Sequence, residues 1–523
     1  MKPSRMFRFS MLAITFLLAA GSQVQAQPEI AFNDYLAALK EMRWGDAERF
    51  WQPIVIDKSR RLGIVYTDVP AKYDCASPLM TALPAIRAGD LHISTTVVSP
   101  DSDTTRILVR IESATDSIMV TYFAEKSASG WQLTSPLYFY SHEWKIRRTA
   151  YADIYYADES LLNDYACRTL DDFVEAAGKT LGLSPDDFAR LKRDRIDYFL
   201  CTRDDMRRLT GYDAQGMTDL KADAVVSQTL PHEHELTHLL VNYRLRQLPL
   251  YTLPLMQEGL ATSLGGRWNK APCAMRYMGY ITLANDIGHS DDLLTYGGFN
   301  SPNVTAEVSY PISALFTGFL VETWGFDKYL NLYRTLSGSA DQVRSYDARL
   351  VESIFEKAYG LPWMSIAAAF EDYWKKFHPC GVTPDTLRPM ENPAISIDSA
   401  GVNISIRNSR DFFHFAVNLS SGAREGILLL NDGGDSVATA YRSELFDKSL
   451  PEETYRGEHV GVRFSADEVA VYDYLTNKLL ASYIDGLSPV KGFRDSTSST
   501  LHFAVSRDIM NGLDCTNARL IVR

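Results

Sequence analysis

The chain is poor in cysteine, in long apolar runs and in positive charge. Its six cysteines include no Cys-x-x-Cys pair, which argues against a structural zinc ribbon. The formal net charge of −12 makes nucleic acids and anionic membranes poor partners. Beyond the amino terminus, no apolar run is long enough to predict a membrane helix, and we find no internal repeat. These absences leave the placement of individual polar residues as the main source of functional information.

The amino terminus has the pattern of a secretory signal. Lys2, Arg5 and Arg8 precede an apolar run over residues 11–20, which is too short to span a bilayer. Small residues at 24–26 offer a cleavage site, and no cysteine follows it, which argues against a lipoprotein. We therefore predict a signal peptide over residues 1–26 and a secreted or periplasmic protein without a membrane span. Export would permit disulfides, but six cysteines allow too many pairings to choose among.

One short motif points to metal chemistry. His234, Glu235 and His238 form the pattern His-Glu-x-x-His. Histidines four residues apart lie on one face of a helix, where both imidazoles can bind a single zinc ion. The glutamate beside the first histidine can take a proton from a water that the metal activates. The motif predicts a catalytic zinc site.

The residues around the motif predict an amphipathic helix. Pro231 suits a first helical turn, and Thr229 is a candidate N-cap. His232 lies about 200° around such a helix from the metal face, so we expect it to be exposed or to cap the helix. Apolar side chains recur at helical spacing at Leu236, Leu239, Leu240 and Tyr243.

A catalytic zinc site needs a third protein ligand and one open position. The metzincin pattern requires glycine at position 241 and histidine at 244, where this chain has Val241 and Arg244. The inverted motif fails because Leu236 stands at the position of its second histidine. A glutamate on a following helix remains, and Glu258 lies 20 residues after His238.

His-Glu-x-x-His followed by Glu258-Gly259-x-Ala261 resembles the gluzincin metallopeptidases of clan MA, which include thermolysin and the aminopeptidase/leukotriene-hydrolase family. The segment 310–325, which begins with Tyr310, resembles a later gluzincin helix that opens with a tyrosine. The resemblance covers residues 140–380, is specific at these three places, and fits best a peptidase-MA-like domain of bacterial secreted proteins.

The resemblance implies a site and a reaction. Zn²⁺ would be bound by His234, His238 and Glu258, with Glu235 as the general base. Tyr310 would donate a hydrogen bond to the tetrahedral intermediate, and the substrate would be a peptide or a protein. The aminopeptidase branch also carries Gly-x-Met-Glu-Asn upstream of the zinc helix, and this chain lacks it there. Endopeptidase and exopeptidase activity therefore both remain open.

The pattern along the chain predicts a multidomain α+β protein. Residues 27–140 form a small α+β unit, with a helix over 30–51 and an antiparallel meander that is compatible with an NTF2-like cone. Residues 141–385 form a gluzincin-like zinc metallopeptidase domain with a mixed sheet and a helical subdomain. In this domain, residues 224–226 are the predicted edge strand beside the zinc helix, where gluzincins add an extended peptide to the sheet. Residues 298–304 are a candidate lid.

The carboxyl-terminal third has a different character. Four prolines within residues 379–393 predict a linker, and about eight short strands over 394–523 favour a β-sandwich.

This organisation leaves an alternative to the peptidase, namely a non-catalytic secreted protein with a structural or vestigial zinc site and a sandwich that binds glycan or protein. Glu235 argues against that alternative, since a structural zinc site has no use for a base. Hydrolysis of a non-peptide substrate at the same site is also left open.

Overall fold

The computed structural model describes residues 27–377, apart from 61–70, 76, 99–101, 220–221 and 247–250. Beyond residue 377 it describes the strands given below and a few residues between them. The predicted signal peptide, residues 1–26, lies outside the described residues. The chain divides into two compact units: one comprises residues 1–60 and 67–142, and the other comprises 61–66 and 143–523.

The first unit packs short helices with a four-stranded antiparallel meander in the order β1-β2-β3-β4. The helix predicted over residues 30–51 is divided in two, because Met42 takes a left-handed conformation with a φ of 58°. Its strands are β1 (His92–Val98), β2 (Thr104–Glu112), β3 (Ser117–Ser127) and β4 (Gly130–Thr134). Its helices are α1 (Pro28–Lys40), α2 (Trp44–Glu48), α3 (Pro53–Arg60), α4 (Pro78–Ala88) and α5 (Pro136–Ser141).

A buried carboxylate organises the core of this unit. Asp74, at the end of a 3₁₀ turn (Lys72–Asp74), accepts hydrogen bonds from the hydroxyls of Tyr35 at 2.7 Å and Tyr122 at 3.0 Å. Alternate residues of β2 are buried, as expected for a strand with one face on a core. The NTF2-like assignment stays a prediction.

The second unit begins with a five-stranded mixed sheet in the order β5-β6-β7-β9-β8. Its strands are β5 (Lys145–Arg148), β6 (Ala152–Tyr156), β7 (Ile196–Leu200), β8 (Gly216–Asp219) and β9 (Ala224–Ser227). The strands β6, β7 and β9 run parallel, and every residue of the central β7 is buried. The predicted edge strand was wrong: residues 224–226 belong to β9, which is paired on both sides, and the edge is β8.

Helices lie between the strands of this sheet and dominate the chain after it. They are α6 (Asp164–Leu181), α7 (Pro185–Arg193), α8 (Arg203–Thr210), α9 (Glu233–Leu245), α10 (Pro254–Gly265), α11 (Pro272–Ala284), α12 (Tyr296–Phe299), α13 (Ala306–Trp324), α14 (Phe326–Thr335), α15 (Ala340–Ser345), α16 (Ala348–Tyr359) and α17 (Trp363–Lys375). The apolar stripe predicted on α9 is buried in the core of the unit, where each large apolar side chain contributes about 1.5–3 kcal/mol. Among the described residues, we find no helix with the length and apolarity needed to cross a bilayer.

The carboxyl-terminal region contains two five-stranded antiparallel sheets and a small hairpin. The first sheet has the order β10-β20-β13-β12-β11, and the second β19-β18-β17-β14-β21. The described part of this region contains twelve strands, which include the eight predicted ones; one of the other four, β10, lies in the predicted linker and pairs with β20. The strands are β10 (Val382–Pro384), β11 (Ile395–Ser399), β12 (Val402–Asn408), β13 (Phe412–Leu419), β14 (Glu425–Asn431), β15 (Val437–Thr439), β16 (Thr454–Arg456), β17 (Glu458–Ser465), β18 (Glu468–Asp473), β19 (Lys478–Ile484), β20 (Thr500–Ser506) and β21 (Asp514–Val522).

Strand β19 is joined to the segment between α10 and α11. The backbone of Leu479 donates to Asn269 O and accepts from Ala271 N, both at 2.7 Å. The rings of Tyr277 on α11 and Tyr483 on β19 stack with their centroids 6.1 Å apart. The β-rich region therefore packs directly against the helices of the same compact unit. The division into domains 141–385 and 394–523 stays a prediction.

The cysteines that the structure describes fall into two groups. Cys75, Cys167 and Cys201 are thiols, whereas Cys273 is disulfide-bonded. Burial raises the pKa of Cys167 to about 11 and that of Cys201 to about 12, so both thiols stay protonated at neutral pH. These two cysteines therefore behave as core side chains.

Candidate metal centre

Helix α9 carries both histidines of the motif on one face. It begins at Glu233, three residues later than an N-cap at Thr229 predicts. His232, not Thr229, occupies the N-cap position. The rings of His234 and His238 lie one turn apart, nearly perpendicular, with their centroids 4.8 Å from each other.

Helix α10 brings Glu258 to the same point. Pro254 occupies its first turn, where a missing backbone N–H costs nothing. Gly259 lets α10 pack closely on α13, since a Cβ there would lie 2.6 Å from Thr317 Oγ1 and 2.9 Å from Ser313 O. This close contact explains the glycine that follows Glu258. Helix α13 also carries Tyr310.

The three predicted ligands converge. Glu258 Oε2 lies 3.1 Å from His234 Nε2 and 3.5 Å from His238 Nε2, and the two Nε2 atoms are 3.2 Å apart. A tetrahedral ion with bonds of 2.0–2.1 Å holds its donor atoms about 3.3 Å apart. The triangle therefore fits three vertices of a zinc tetrahedron. Among the described residues, these side chains are the single group of three that meets the spacing of a metal site.

A hydrogen bond fixes the tautomer of the first ligand. His234 Nδ1 lies 2.9 Å from Gly266 O, and a carbonyl oxygen can only accept. The Nδ1 atom therefore carries the proton, and the Nε2 lone pair faces the other two donors. Ligand histidines commonly use their second nitrogen in this way.

The charges of the three side chains suit a cation. Burial acts to raise the pKa of Glu258, but the charge of His238, followed by the close contacts with both imidazoles, outweighs it and holds the pKa well below its usual range. Burial lowers the pKa of His234. Burial also acts to lower the pKa of His238, but Glu258 outweighs it, so this pKa is raised. The site thus combines a carboxylate with a neutral imidazole at His234, which are the ligand forms that bind metals.

The edge strand β8 holds Glu235. Thr218 Oγ1 lies 2.8 Å from Glu235 Oε2. Gly216 lets the strand approach α9, since a Cβ there would lie 3.0 Å from Glu235 Cγ and 2.5 Å from the ring of His232. Burial acts to raise the pKa of Glu235, but His232, His234 and His238 outweigh it, and the net shift is downward. Glu235 is thus an ionised carboxylate held in one orientation beside the ligands.

We predicted that His232 is exposed or caps the helix, and it takes the N-cap position without being exposed. The residue lies at the N-cap, where the helical angle of 200° does not apply, and its half-buried side chain packs over Gly216. It makes no capping hydrogen bond within the described part of the chain. Burial lowers its pKa to about 4, although the neighbouring Glu235 acts to raise it. His232 is therefore a neutral imidazole beside Glu235.

Tyr310 lies next to the ligands, although its helix begins earlier than predicted. Helix α13 starts at Ala306, so the tyrosine is in its second turn and not at its first residue. Its ring centroid is 6.3 Å from that of His234 and 5.3 Å from that of Phe299. Burial, followed by the charge of Glu258, raises the pKa of Tyr310, so its hydroxyl remains a donor.

Arg267 is a charged neighbour that the sequence motif did not predict. Its Nη1 lies 2.8 Å from His234 Nε2 and 3.5 Å from Glu258 Oε2, and its guanidinium carbon lies 3.6 Å from the ring centroid of Tyr310. Two glycines make this position possible: a Cβ at Gly265 would lie 2.4 Å from the backbone of α9, and Gly266 has a φ of 73°. The glycine pair is the signal in the sequence that marks this close turn.

An ion pair connects α9, the helix that carries His234 and His238, to the β-rich region. Lys478 Nζ on β19 contacts Glu233 Oε2 at the start of α9, and the two side chains are only 15% and 11% exposed. Lys478 and Thr476 line the same small pocket as His232 and His234. The region after residue 394 thus contributes side chains beside the candidate metal centre.

No protein-family model matches the chain, and no curated protein is significantly similar to it. The functional assignment therefore depends on the donor geometry and on the residues that surround it.

Proposed function

We propose that this chain is an exported zinc-dependent peptidase of the gluzincin type. The observation that carries the proposal is the triangle of His234 Nε2, His238 Nε2 and Glu258 Oε2, with sides of 3.1, 3.2 and 3.5 Å. Its dimensions suit tetrahedral zinc with one position left for a reactant. A carboxylate held beside that triangle distinguishes a catalytic site from a structural one.

Each neighbouring residue has a chemical task in this proposal. Zn²⁺ in the site would acidify a water and polarise the carbonyl of the scissile bond. Glu235 accepts a proton from the nucleophile and returns it to the leaving amine. Thr218 holds the Glu235 carboxylate in place for both transfers. Tyr310 keeps its proton and donates a hydrogen bond to the oxygen on which negative charge develops.

Strand β8 is the proposed track for the substrate backbone. It is the edge of the mixed sheet and lies against α9, with Thr218 contacting Glu235. An extended peptide that adds to such an edge is held by main-chain hydrogen bonds, while its side chains alternate between the two faces. A peptide bound there would pass the catalytic glutamate.

The finer assignments of fold belong to the same proposal. A mixed sheet, a metal helix and a following helix that supplies a glutamate match the gluzincin arrangement. The two antiparallel sheets after residue 381 are proposed to form the β-sandwich, and residues 1–26 to direct export. The non-catalytic binding protein remains the competing hypothesis. That hypothesis gives no reason why Thr218 should hold the carboxylate of Glu235.

The decisive experiment replaces the base. We expect the wild-type protein to bind one zinc ion and to cleave a mixed peptide library in a chelator-sensitive manner. Glu235→Gln should keep the zinc and reduce turnover by a factor of about 10² to 10⁴. Glu352→Gln on α16 changes the same chemical group outside the site and should have no effect. Undiminished turnover by Glu235→Gln would refute the base, and full zinc occupancy without cleavage of any peptide by the wild type would favour the binding protein.

A further inference from the structure

A small polar pocket adjoins the candidate metal centre. Its wall includes the proposed ligand His234 together with Arg267, Lys270 and Lys478, and we call it the basic pocket. Its volume is about 20 Å³, and a cavity needs about 10–15 Å³ to hold one water molecule. The basic pocket therefore has room for one small polar group and none for a ring or a branched side chain.

A tight turn places two of these cations side by side. The backbones of Arg267 and Lys270 exchange two hydrogen bonds, of 2.9 and 2.8 Å, across a turn formed by Trp268 and Asn269. Both turn residues are left-handed, with φ values of 50° and 56°, as in a type I′ hairpin turn. Residues that pair across a hairpin project to the same face, where like charges repel each other. The turn thus holds a pair of positive charges that an anion between them would stabilise.

The charges around the basic pocket do not balance. The wall that the structure describes contains three cations, Arg267, Lys270 and Lys478, but its one carboxylate, Glu233, is already paired with Lys478. Burial lowers the pKa of Lys270, and the exposed Glu307 opposes this shift only in part. Such a shift is typical of an ammonium group without a compensating carboxylate. The pocket therefore carries an excess of positive charge.

Two residues of the pocket wall have a buried polar atom without a partner. Arg267 Nε and Thr476 Oγ1 form no hydrogen bond within the described part of the chain. The Nη1 atom of the same guanidinium contacts His234 and Glu258, so Nε is left for a different acceptor. A buried donor without an acceptor is destabilising, and a guanidinium N–H can only donate. The missing partner of Arg267 is therefore an acceptor, such as a carboxylate oxygen.

We propose that the basic pocket binds one carboxylate group, between Arg267 and Lys270 and beside the metal ligands. The volume suits the two oxygens of such a group, and Thr476 adds a hydroxyl donor. Because Arg267 also lies 2.8 Å from His234 Nε2, neutralisation of its charge favours a cation at the ligands. Carboxylate binding and zinc binding therefore strengthen each other by the same factor.

The first test measures binding to zinc-free protein, so that the metal itself cannot bind the probe. N-acetylglycine and its uncharged amide, N-acetylglycinamide, are titrated and followed by saturation-transfer NMR. The acid should bind about tenfold more tightly than the amide, because charge-assisted hydrogen bonds are the stronger ones. Equal binding of the acid and the amide by the wild type would overturn the proposal.

Variants at two positions show whether the probe occupies the basic pocket. Lys270→Met should weaken binding of N-acetylglycine about tenfold, and Lys270→Arg should restore most of it. Thr476→Val keeps the shape of the side chain without the hydroxyl and should weaken the acid several-fold. Lys357→Met removes an exposed lysine of α16 and should have no effect. Wild-type affinity for the acid in both Lys270→Met and Thr476→Val would also overturn the proposal.

The second test measures the coupling to zinc by chelator competition. Saturating N-acetylglycine should raise the zinc affinity of the wild type several-fold relative to the same concentration of N-acetylglycinamide. Lys270→Met should lose this difference. The variant separates the two ways in which the acid can act, because direct coordination of zinc by the acid would persist without Lys270. A difference of equal size in wild type and variant would contradict the coupling through the pocket.

Cleavage assays identify the source of the carboxylate. Since His234 belongs both to the ligands and to the pocket wall, the carboxylate should lie within one residue of the reacting bond. Peptides that end one residue after the scissile bond are compared as free acids and as amides, and longer peptides are compared with Asp or Asn at that residue. A preference for the free acid that Lys270→Met removes assigns the pocket to a substrate carboxyl terminus, and a preference for Asp assigns it to a side chain.

The binding and zinc measurements do not depend on the proposed peptidase function. If the wild type cleaves no peptide but binds N-acetylglycine through Lys270, the peptidase fails and the pocket stands as a site for a free carboxylate. If peptides are cleaved while the acid and the amide bind equally, the pocket fails and the peptidase stands.

Discussion

Thr218 Oγ1 lies 2.8 Å from the Oε2 atom of Glu235 and also 2.8 Å from the carbonyl oxygen of the same residue. The single hydroxyl proton is shared between these two acceptors, so Thr218 joins the edge strand β8 to the backbone and to the side chain of the proposed base. A carboxylate that receives such a hydrogen bond has fewer orientations available to it. The strand proposed to carry the substrate thus also holds the group that moves the proton.

Thr218→Val should lower kcat about tenfold with little change in KM, because a hydrogen bond to a charged group is lost while the shape of the side chain is kept. Thr218→Ser restores the hydroxyl and should recover most of the rate. Zinc content, measured on the same samples, should be equal in all three proteins. A valine variant with the wild-type kcat would show that the hydrogen bond has no positioning role.

Glu258→Ala should weaken zinc binding by about 100-fold or more, since removal of even an indirect contact to a ligand costs 10- to 100-fold. The measurement is competition against a chelator of known affinity. Gln257→Ala removes the preceding polar side chain of the same helix and should leave the affinity unchanged. Equal zinc affinity in wild type and Glu258→Ala would exclude the glutamate as a ligand.

The motif residues were predictable because their arrangement depends on short-range geometry. His234, Glu235 and His238 belong to one helix, so their spacing alone determines which of them share a face. Glu258 comes from a second helix, and its glycine neighbour records the close packing of that helix on α13. In each case a local pattern carries the information.

The surroundings of the motif were not predictable in the same way. Strand β8 has the sequence Gly-Met-Thr-Asp, which lacks the apolar run that identifies a buried strand, and the buried β9 was therefore mistaken for the edge. Arg267 reaches the ligands through a turn whose direction depends on backbone packing around Gly265 and Gly266. Such contacts between distant segments have no periodic signature in a single sequence.

Arg267→Met should raise the zinc affinity several-fold. The guanidinium Nη1 lies 2.8 Å from His234 Nε2 and 3.5 Å from Glu258 Oε2, so its charge opposes a second cation at the same donors. Arg267→Lys retains the charge and serves as the comparison. The prediction fails if the methionine variant binds zinc no more tightly than the lysine variant in chelator competition.

The ion pair between Lys478 and Glu233 supports a prediction about the β-rich region. Both side chains are mostly buried, so removal of one partner leaves the other charge poorly solvated. Lys478→Met and Glu233→Gln should each lower the free energy of unfolding of this unit by about 1–3 kcal/mol. The double variant should lose less than the sum of the two. Urea unfolding of the wild type, the two single variants and the double variant gives the free energies for this double-mutant cycle.

The same pair also connects stability to the candidate metal centre, because Glu233 directly precedes the proposed ligand His234 and Leu479 pairs with the segment that carries Arg267. Lys478→Met should therefore lower kcat as well as stability, even at temperatures where the variant is fully folded. Lys375→Met on α17 removes an exposed lysine with one carboxylate partner and should change neither quantity measurably. Wild-type kcat in Lys478→Met would show that β19 stabilises the unit without positioning its site.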